Sequence, residues 1–301
     1  MLPNFLVVGA AKAGTTSLHE YLNQHPDVFI PEKKECLFFS ALEKFNGPDH
    51  DQELNRLAMH DIDSYEALFA NARAARALGD ISHDYLYYHD SAIPNIKRYL
   101  GDQVRIAIIL RDPRERAYSH YMHHVKGGIS PDSSFDRALE LEGERIKRGW
   151  SWNWHYKRVG LYAAQVSAYI GAFSNCRVYL YDDLVRDACE LMTDLYSFVG
   201  VDATFHPSIE IHNQGYDVRN RRMNRFLRRE SQLKGRVRAA LMAVGFSQTV
   251  LHRLKQRALL ANKVTKERMS SESRRRLTEY FRPDIERLEG LIGRNLSGWY
   301  E

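Results

Sequence analysis

Phe5-Leu6-Val7-Val8-Gly9-Ala10-Ala11-Lys12-Ala13-Gly14-Thr15-Thr16-Ser17-Leu18 is the stretch that decides the fold. A β-branched apolar run ending in glycine reads as a buried strand of a parallel sheet. Leu18, Tyr21 and Leu22 then fall on one stripe of a helix that Thr16 or Ser17 can cap and that His25-Pro26 stops. Strand, glycine-containing loop and helix start, in that order, form a cradle for an anion. The first amides of a helix lack intrahelical partners, and the helix dipole favours negative charge there.

Gly9 to Thr16 resembles the Walker A pattern GxxxxGK[ST], with one residue displaced. Thr15 stands where the lysine would follow the second glycine, and the lysine sits inside the loop at Lys12. With no lysine at the helix start and no clear acid for magnesium, triphosphate hydrolysis is poorly supported. Lys12 still places one positive charge beside backbone amides and the hydroxyls of Thr15, Thr16 and Ser17, a metal-free grip for a single phosphate. On this stretch alone, a tight turn with no ligand is the alternative.

Outward from the loop the pattern repeats. Val104 to Leu110 is a second apolar strand, followed by a helix start with Asp112 as N-cap, Pro113 at the first position and Glu115 in the first turn. A third run, Arg177 to Tyr181, precedes an amphipathic segment from Cys189 to Val199. From about Asn220 onward the chain reads as mostly helical, with Phe281-Arg282-Pro283-Asp284 breaking it before a last helix, Ile285 to Ile292. The alternation predicts an α/β fold: a single P-loop-like domain over residues 1–301, with a central parallel sheet flanked by helices and a helical C-terminal part.

With 301 residues, 44% of them hydrophobic, the chain can bury a sizeable core. No run of about twenty apolar residues could span a bilayer, and Met1 to Ala11 lacks a basic leader. Cys36, Cys176 and Cys189 have no metal-type spacing and leave one thiol over in any pairing, so the expected setting is reducing and cytoplasmic. The net charge of +5 hides an asymmetry: between Arg219 and Arg276 lie eighteen Lys or Arg and three acidic residues. Such a patch steers an anionic ligand or is a solvated helical face. His123-His124 has no second ligand cluster, and no metal is expected.

Two stretches together resemble the PAPS-dependent sulfotransferases, which use 3′-phosphoadenosine 5′-phosphosulfate (PAPS). Lys12-Ala13-Gly14-Thr15-Thr16-Ser17-Leu18 is similar to the family's KxGTT loop for the 5′-phosphosulfate, in the form found in the bacterial and carbohydrate branches. Arg111-Asp112-Pro113-Arg114-Glu115-Arg116-Ala117-Tyr118-Ser119-His120-Tyr121 is similar to RxPxxRAxSxY, in which the arginine and serine bind the 3′-phosphate. Tyr181-Asp182-Asp183-Leu184 and Leu291 to Trp299 extend the likeness. The resemblance implies that Lys12, Ala13, Gly14, Thr15, Thr16, Ser17, Arg111 and Ser119 hold PAPS, with Lys12 on the leaving oxygen.

Sulfuryl transfer also asks for a base to take the acceptor's proton. Lys33-Lys34-Glu35-Cys36-Leu37-Phe38-Phe39 is similar to the KExxFF element of the heparan-type enzymes, which implies Glu35 as base and Lys34 as the polarising neighbour. Leu37 replaces a histidine carried by many relatives. The rival base is His83, in Asp80-Ile81-Ser82-His83-Asp84-Tyr85-Leu86, where a GExSPxYL element usually has proline. Trp150-Ser151-Trp152-Asn153-Trp154-His155-Tyr156 reads either as a sugar-stacking lid or as core. The expected acceptor is a hydroxyl or amine, on a carbohydrate or glycoconjugate; a lipid, a small alcohol or phenol, a nucleotide kinase and a non-catalytic polyanion binder are the alternatives. No specific nucleic-acid partner is expected.

Overall fold

The structure is a computed structural model. It describes residues 1–40, 44–72, 75–209 and 268–300, the backbone of 216–218 and 263–265, and isolated positions between them. Most of the basic segment from Arg219 to Arg276 therefore lies outside the described residues.

Five strands form the central sheet: β1 (Phe5–Gly9), β2 (Val28–Phe29), β3 (Ala77–Ile81), β4 (Arg105–Leu110) and β5 (Cys176–Leu180). Their order is β2-β3-β1-β4-β5 and every pairing is parallel. β1 lies at the centre with all five residues buried, as its unbroken apolar run requires. Leu6 pairs with Asp80 on one side and with Ile106 on the other. β3 has no strong apolar signature, because its sequence is Ala-Leu-Gly-Asp-Ile. Gly79 is there for space: a Cβ would meet Phe5 Cζ at 2.2 Å. Asp80 is there for a network described below.

Helices α1 (Thr15–Leu22), α2 (Asp49–Leu57), α3 (Ile62–Ala67) and α4 (His89–Leu100) belong to the first half of the chain. α5 (Pro113–Gly127) follows β4 with the expected start: Asp112 Oδ1 accepts from Arg114 N at 2.9 Å, and Pro113 occupies the first turn. α6 (Phe135–Glu140), α7 (Glu142–Lys147), α8 (Tyr162–Ala172), α9 (Tyr181–Arg186), α10 (Ala188–Val199) and α11 (Ser271–Ile292) complete the set among the described residues.

Three expectations need correction. Neither Thr16 nor Ser17 caps α1; Gly14, at φ 102, is the N-cap and makes no side-chain cap bond. The expected break at Pro283 is absent, since α11 runs through it. An interior proline costs about 3 kcal/mol, but Leu277, Phe281, Ile285 and Leu288 are buried along the same helix, each worth about 1.5–3 kcal/mol. Asp284 Oδ2 also accepts from Ala163 N at 3.1 Å, which fastens α11 to α8. Within the segment read as helical, Lys263–Thr265 (β7) instead pairs antiparallel with Tyr216–Val218 (β6).

The aromatic run is core. Trp152, Trp154 and Tyr156 are 4%, 0% and 0% exposed, and Trp154 Nε1 donates to the buried Asp51 at 2.8 Å.

Candidate active site

The two candidate phosphate motifs lie at the C-terminal edge of β1 and β4. Lys12 has a left-handed backbone, φ 66, in the loop between β1 and α1. Burial pushes its ammonium down to about 8; Glu35 opposes that shift, while Lys126, Lys34 and Arg111 add to it. Thr15 is buried and Thr16 exposed at the start of α1. Because Gly14 rather than a hydroxyl begins the helix, the first-turn amides receive no side-chain cap. Lys34 Nζ donates to Thr16 Oγ1 at 2.8 Å, so Lys34 is tied to the same helix start.

Arg111 leaves the end of β4 toward this loop, its NH1 donating to Lys12 O at 3.4 Å. Its guanidinium lies 4.7 Å from the centre of the Tyr181 ring. A Cβ on Gly14 would meet Tyr181 Cδ2 at 2.9 Å. Tyr181 therefore packs between the two phosphate motifs, which explains why glycine is needed at 14. Ser119 is half-buried two turns into α5. The neighbouring arginines are fasteners. Arg114 pairs with Asp112 at 2.9 Å and donates to Thr278 Oγ1 and Gly298 O, and Arg116 donates to Tyr156 O.

At the base end the two rivals meet. His83 Nδ1 and Glu35 Oε1 are 2.9 Å apart. Burial pushes the Glu35 carboxyl up, but the charge and hydrogen bond of His83, together with Lys34 and Lys12, outweigh burial and hold it at about 2. Its side chain is nevertheless 36% exposed, against 12% for His83. The His83 ring stands edge-on to Trp152, centroids 4.8 Å apart. Lys12, Glu35 and Leu37 are the non-glycine residues with positive φ among those described, at 66, 66 and 55°. Two of these three are candidate site residues, as is common where surrounding contacts hold an uncommon conformation in a functional site. Leu37 is buried in an apolar cluster with Leu54, Phe45 and Tyr88.

Glu32 is exposed and Lys33 Nζ donates to Leu57 O at 3.2 Å, away from the pair. Among the described residues no group of three or more His, Cys, Asp or Glu side chains is placed to hold a metal. His124 Nδ1 is engaged by the Tyr156 hydroxyl at 2.9 Å. Trp152, in the run read from sequence as lid or core, is buried yet touches His83, while Tyr181, read as the end of an apolar run and part of a family element, carried no sequence signal for its place beside Gly14 and Arg111. Chemically, a carboxylate bonded to an imidazole can accept a proton, beside a half-buried lysine and a helix start suited to an anion.

Residues 3–207 match a family described as the sulfotransferase family. A sulfotransferase of known structure from Alicyclobacillus acidocaldarius is 33% identical, covers 100% of both chains and superposes with a TM-score of 0.77. The bifunctional heparan sulfate N-deacetylase/N-sulfotransferase 4 of Mus musculus is 25% identical over 66% of this chain, which spans 22% of that protein's length. The membrane-associated sulfotransferase kil1 of Dictyostelium discoideum is 30% identical over 48% of this chain and 29% of its own. Among the described residues no helix is long and apolar enough to cross a membrane.

Proposed function

The chain belongs to the sulfotransferase family, and on that premise we propose that it moves the sulfuryl group of PAPS to a hydroxyl or amine of a carbohydrate or glycoconjugate, as one domain over residues 1–301. The observation that carries the reading is the convergence of Lys12, Lys34 and the Glu35–His83 pair. Glu35 acts electrostatically on both lysines, so cation and base share one site.

The residues suit an anionic donor. The side-chain-uncapped start of α1, with Thr15, Thr16 and Ser17, takes a 5′-phosphate. Arg111 and Ser119 take the 3′-phosphate, Arg111 as a charged fork. PAPS supplies a sulfuryl group joined to a phosphate leaving group. Lys12 neutralises charge developing on the bridging oxygen, and Lys34 polarises the transferring group. The acceptor's proton goes to the Glu35–His83 pair. His83 Nδ1–H donates to Glu35 and fixes the imidazole; when the ring is neutral its Nε2 is a second proton acceptor, so either partner can face the acceptor while the other steadies it. The sugar class is supported by the heparan-acting relative, which shares this region of sequence.

Incubating the protein with sulfur-labelled PAPS and a panel of sugars, lipids, phenols and amines tests this. Label is expected on a sugar hydroxyl or amine. Label on phenols or lipids alone would remove the carbohydrate class. No transfer to any acceptor, with no binding of 3′-phosphoadenosine 5′-phosphate, would remove the whole reading.

A further inference from the structure

Asp80 sits on β3 at 1% exposure, where a carboxyl is costly unless its oxygens are bonded. They are. Oδ1 accepts from Ser82 Oγ at 2.7 Å, and Oδ2 accepts from the hydroxyls of Tyr65 at 2.8 Å and Tyr85 at 2.9 Å. Two of these hydroxyls pass the network on. Ser82 Oγ accepts from Cys36 N at 3.0 Å, and Tyr85 OH accepts from Phe38 N at 3.2 Å. Each hydroxyl thus spends its proton on Asp80 and its lone pair on a backbone amide of the segment that carries Glu35.

Those amides immediately follow Glu35 and Leu37, at φ 66 and 55°. A left-handed non-glycine residue costs on the order of 1–3 kcal/mol and persists only where its surroundings over-determine it. Two amide anchors, one after each left-handed residue, provide that constraint. His83 is the residue after Ser82, so one buried carboxylate reaches both halves of the pair: Glu35 through the anchored amides and His83 through the chain.

We propose that Asp80, acting through Ser82 and Tyr85, is the positioning hub of the Glu35–His83 pair, clamping the 35–38 segment to β3 so that carboxylate and imidazole stay in hydrogen-bond contact. The inference rests on the reading of that pair as the base. All three hub residues are buried, at 1%, 0% and 0% exposure, so they act by fixing the segment that carries Glu35. A displacement of about 1 Å at a reacting group can cost about 10²-fold in rate, which sets the size of the expected effect.

Ser82→Ala and Tyr85→Phe each remove one anchor while leaving Asp80 two other donors, and they spare the buried charge that Asp80→Asn would alter. Amide exchange by NMR on the full chain without ligand should accelerate selectively at Cys36 in Ser82→Ala and at Phe38 in Tyr85→Phe. In sulfuryl transfer, kcat should fall about tenfold to a hundredfold with unchanged affinity for 3′-phosphoadenosine 5′-phosphate. That fall should shrink several-fold when the variants are remade in a Glu35→Gln background, because the hub acts by holding Glu35 and His83 together and that contact is already weakened there. Tyr196→Phe, which deletes a buried hydroxyl bonded to Tyr21 O at 2.7 Å, serves as the comparator for simple destabilisation. Unchanged exchange at both amides would overturn the hub. So would an equal loss of kcat in the Glu35→Gln background or in Tyr196→Phe. The exchange arm needs no turnover, so it decides the hub even if PAPS proves to be the wrong donor.

Discussion

The donor end, residues 10–17 with Arg111, is made largely of backbone amides, hydroxyls and cations brought close by one turn after β1 and one after β4. The base end joins Glu35 to His83 across forty-eight residues and holds them with Asp80, Ser82 and Tyr85 from below and Trp152 from the side. The first arrangement joins two local strand-to-helix turns that the parallel pairing of β1 with β4 sets side by side. The second depends on tertiary contacts between separate segments, and in its network of Asp80, Ser82 and Tyr85 the loss of one member leaves a buried partner unsatisfied. Under the proposed roles, phosphate gripping and proton removal are expected to be separable by mutation in one molecule.

The largest effects should fall on the base end. Glu35→Gln and His83→Asn should each slow sulfuryl transfer by about 10²–10⁴-fold, the usual contribution of a positioned base, with little change in cofactor binding. If the two act as one unit, the double variant should be about as slow as the worse single variant. Fully multiplicative losses in the cycle would separate them into independent groups and break the comparison.

At the donor end Lys12→Ala should cost about 10²–10³-fold in kcat, as expected for removing one group that stabilises developing charge. Here, unlike the base variants, affinity for 3′-phosphoadenosine 5′-phosphate should fall as well. A Lys12→Ala protein that binds normally and loses only turnover would place the lysine outside the phosphate grip.

The smallest effect is a pH dependence that separates the ends. Burial holds Lys12 at about 8, so it is charged below that pH and neutral above it. An anion favours the charged form; affinity for the bisphosphate is thus fully present below pH 8 and weakens as pH rises through it, by at most about tenfold per unit. Lys12→Arg should abolish that step, since guanidinium stays charged. Glu35, held at about 2, stays ionised across this window and adds no step of its own. Calorimetric titrations at several pH values check both statements.

The same contrast explains what could be read from sequence. The strand-loop-helix at Phe5 to Leu22 and the Asp112-Pro113 helix start are local signals, and the structure places them as expected except that the N-cap of α1 is Gly14, two to three residues before the caps read from sequence. β3 was harder to see because Gly79 and Asp80 answer to Phe5 and to a hydroxyl network, partners far away in the chain. Pro283 misled because the packing of α11 outweighs a local preference. Glu35 and His83 were both legible as candidate bases, through family likeness and side-chain chemistry, yet as rivals. Their hydrogen bond is a tertiary fact that no spacing encodes.

The claim that two phosphate anchors meet in one cofactor site is tested most directly by a calorimetric comparison of 3′-phosphoadenosine 5′-phosphate with AMP, which differs from it only in lacking the 3′-phosphate. The bisphosphate should bind about 10- to 100-fold more tightly, the worth of hydrogen bonds to a charged group, and Arg111→Ala should erase the difference. Equal affinity of the wild-type protein for the two nucleotides would contradict the account.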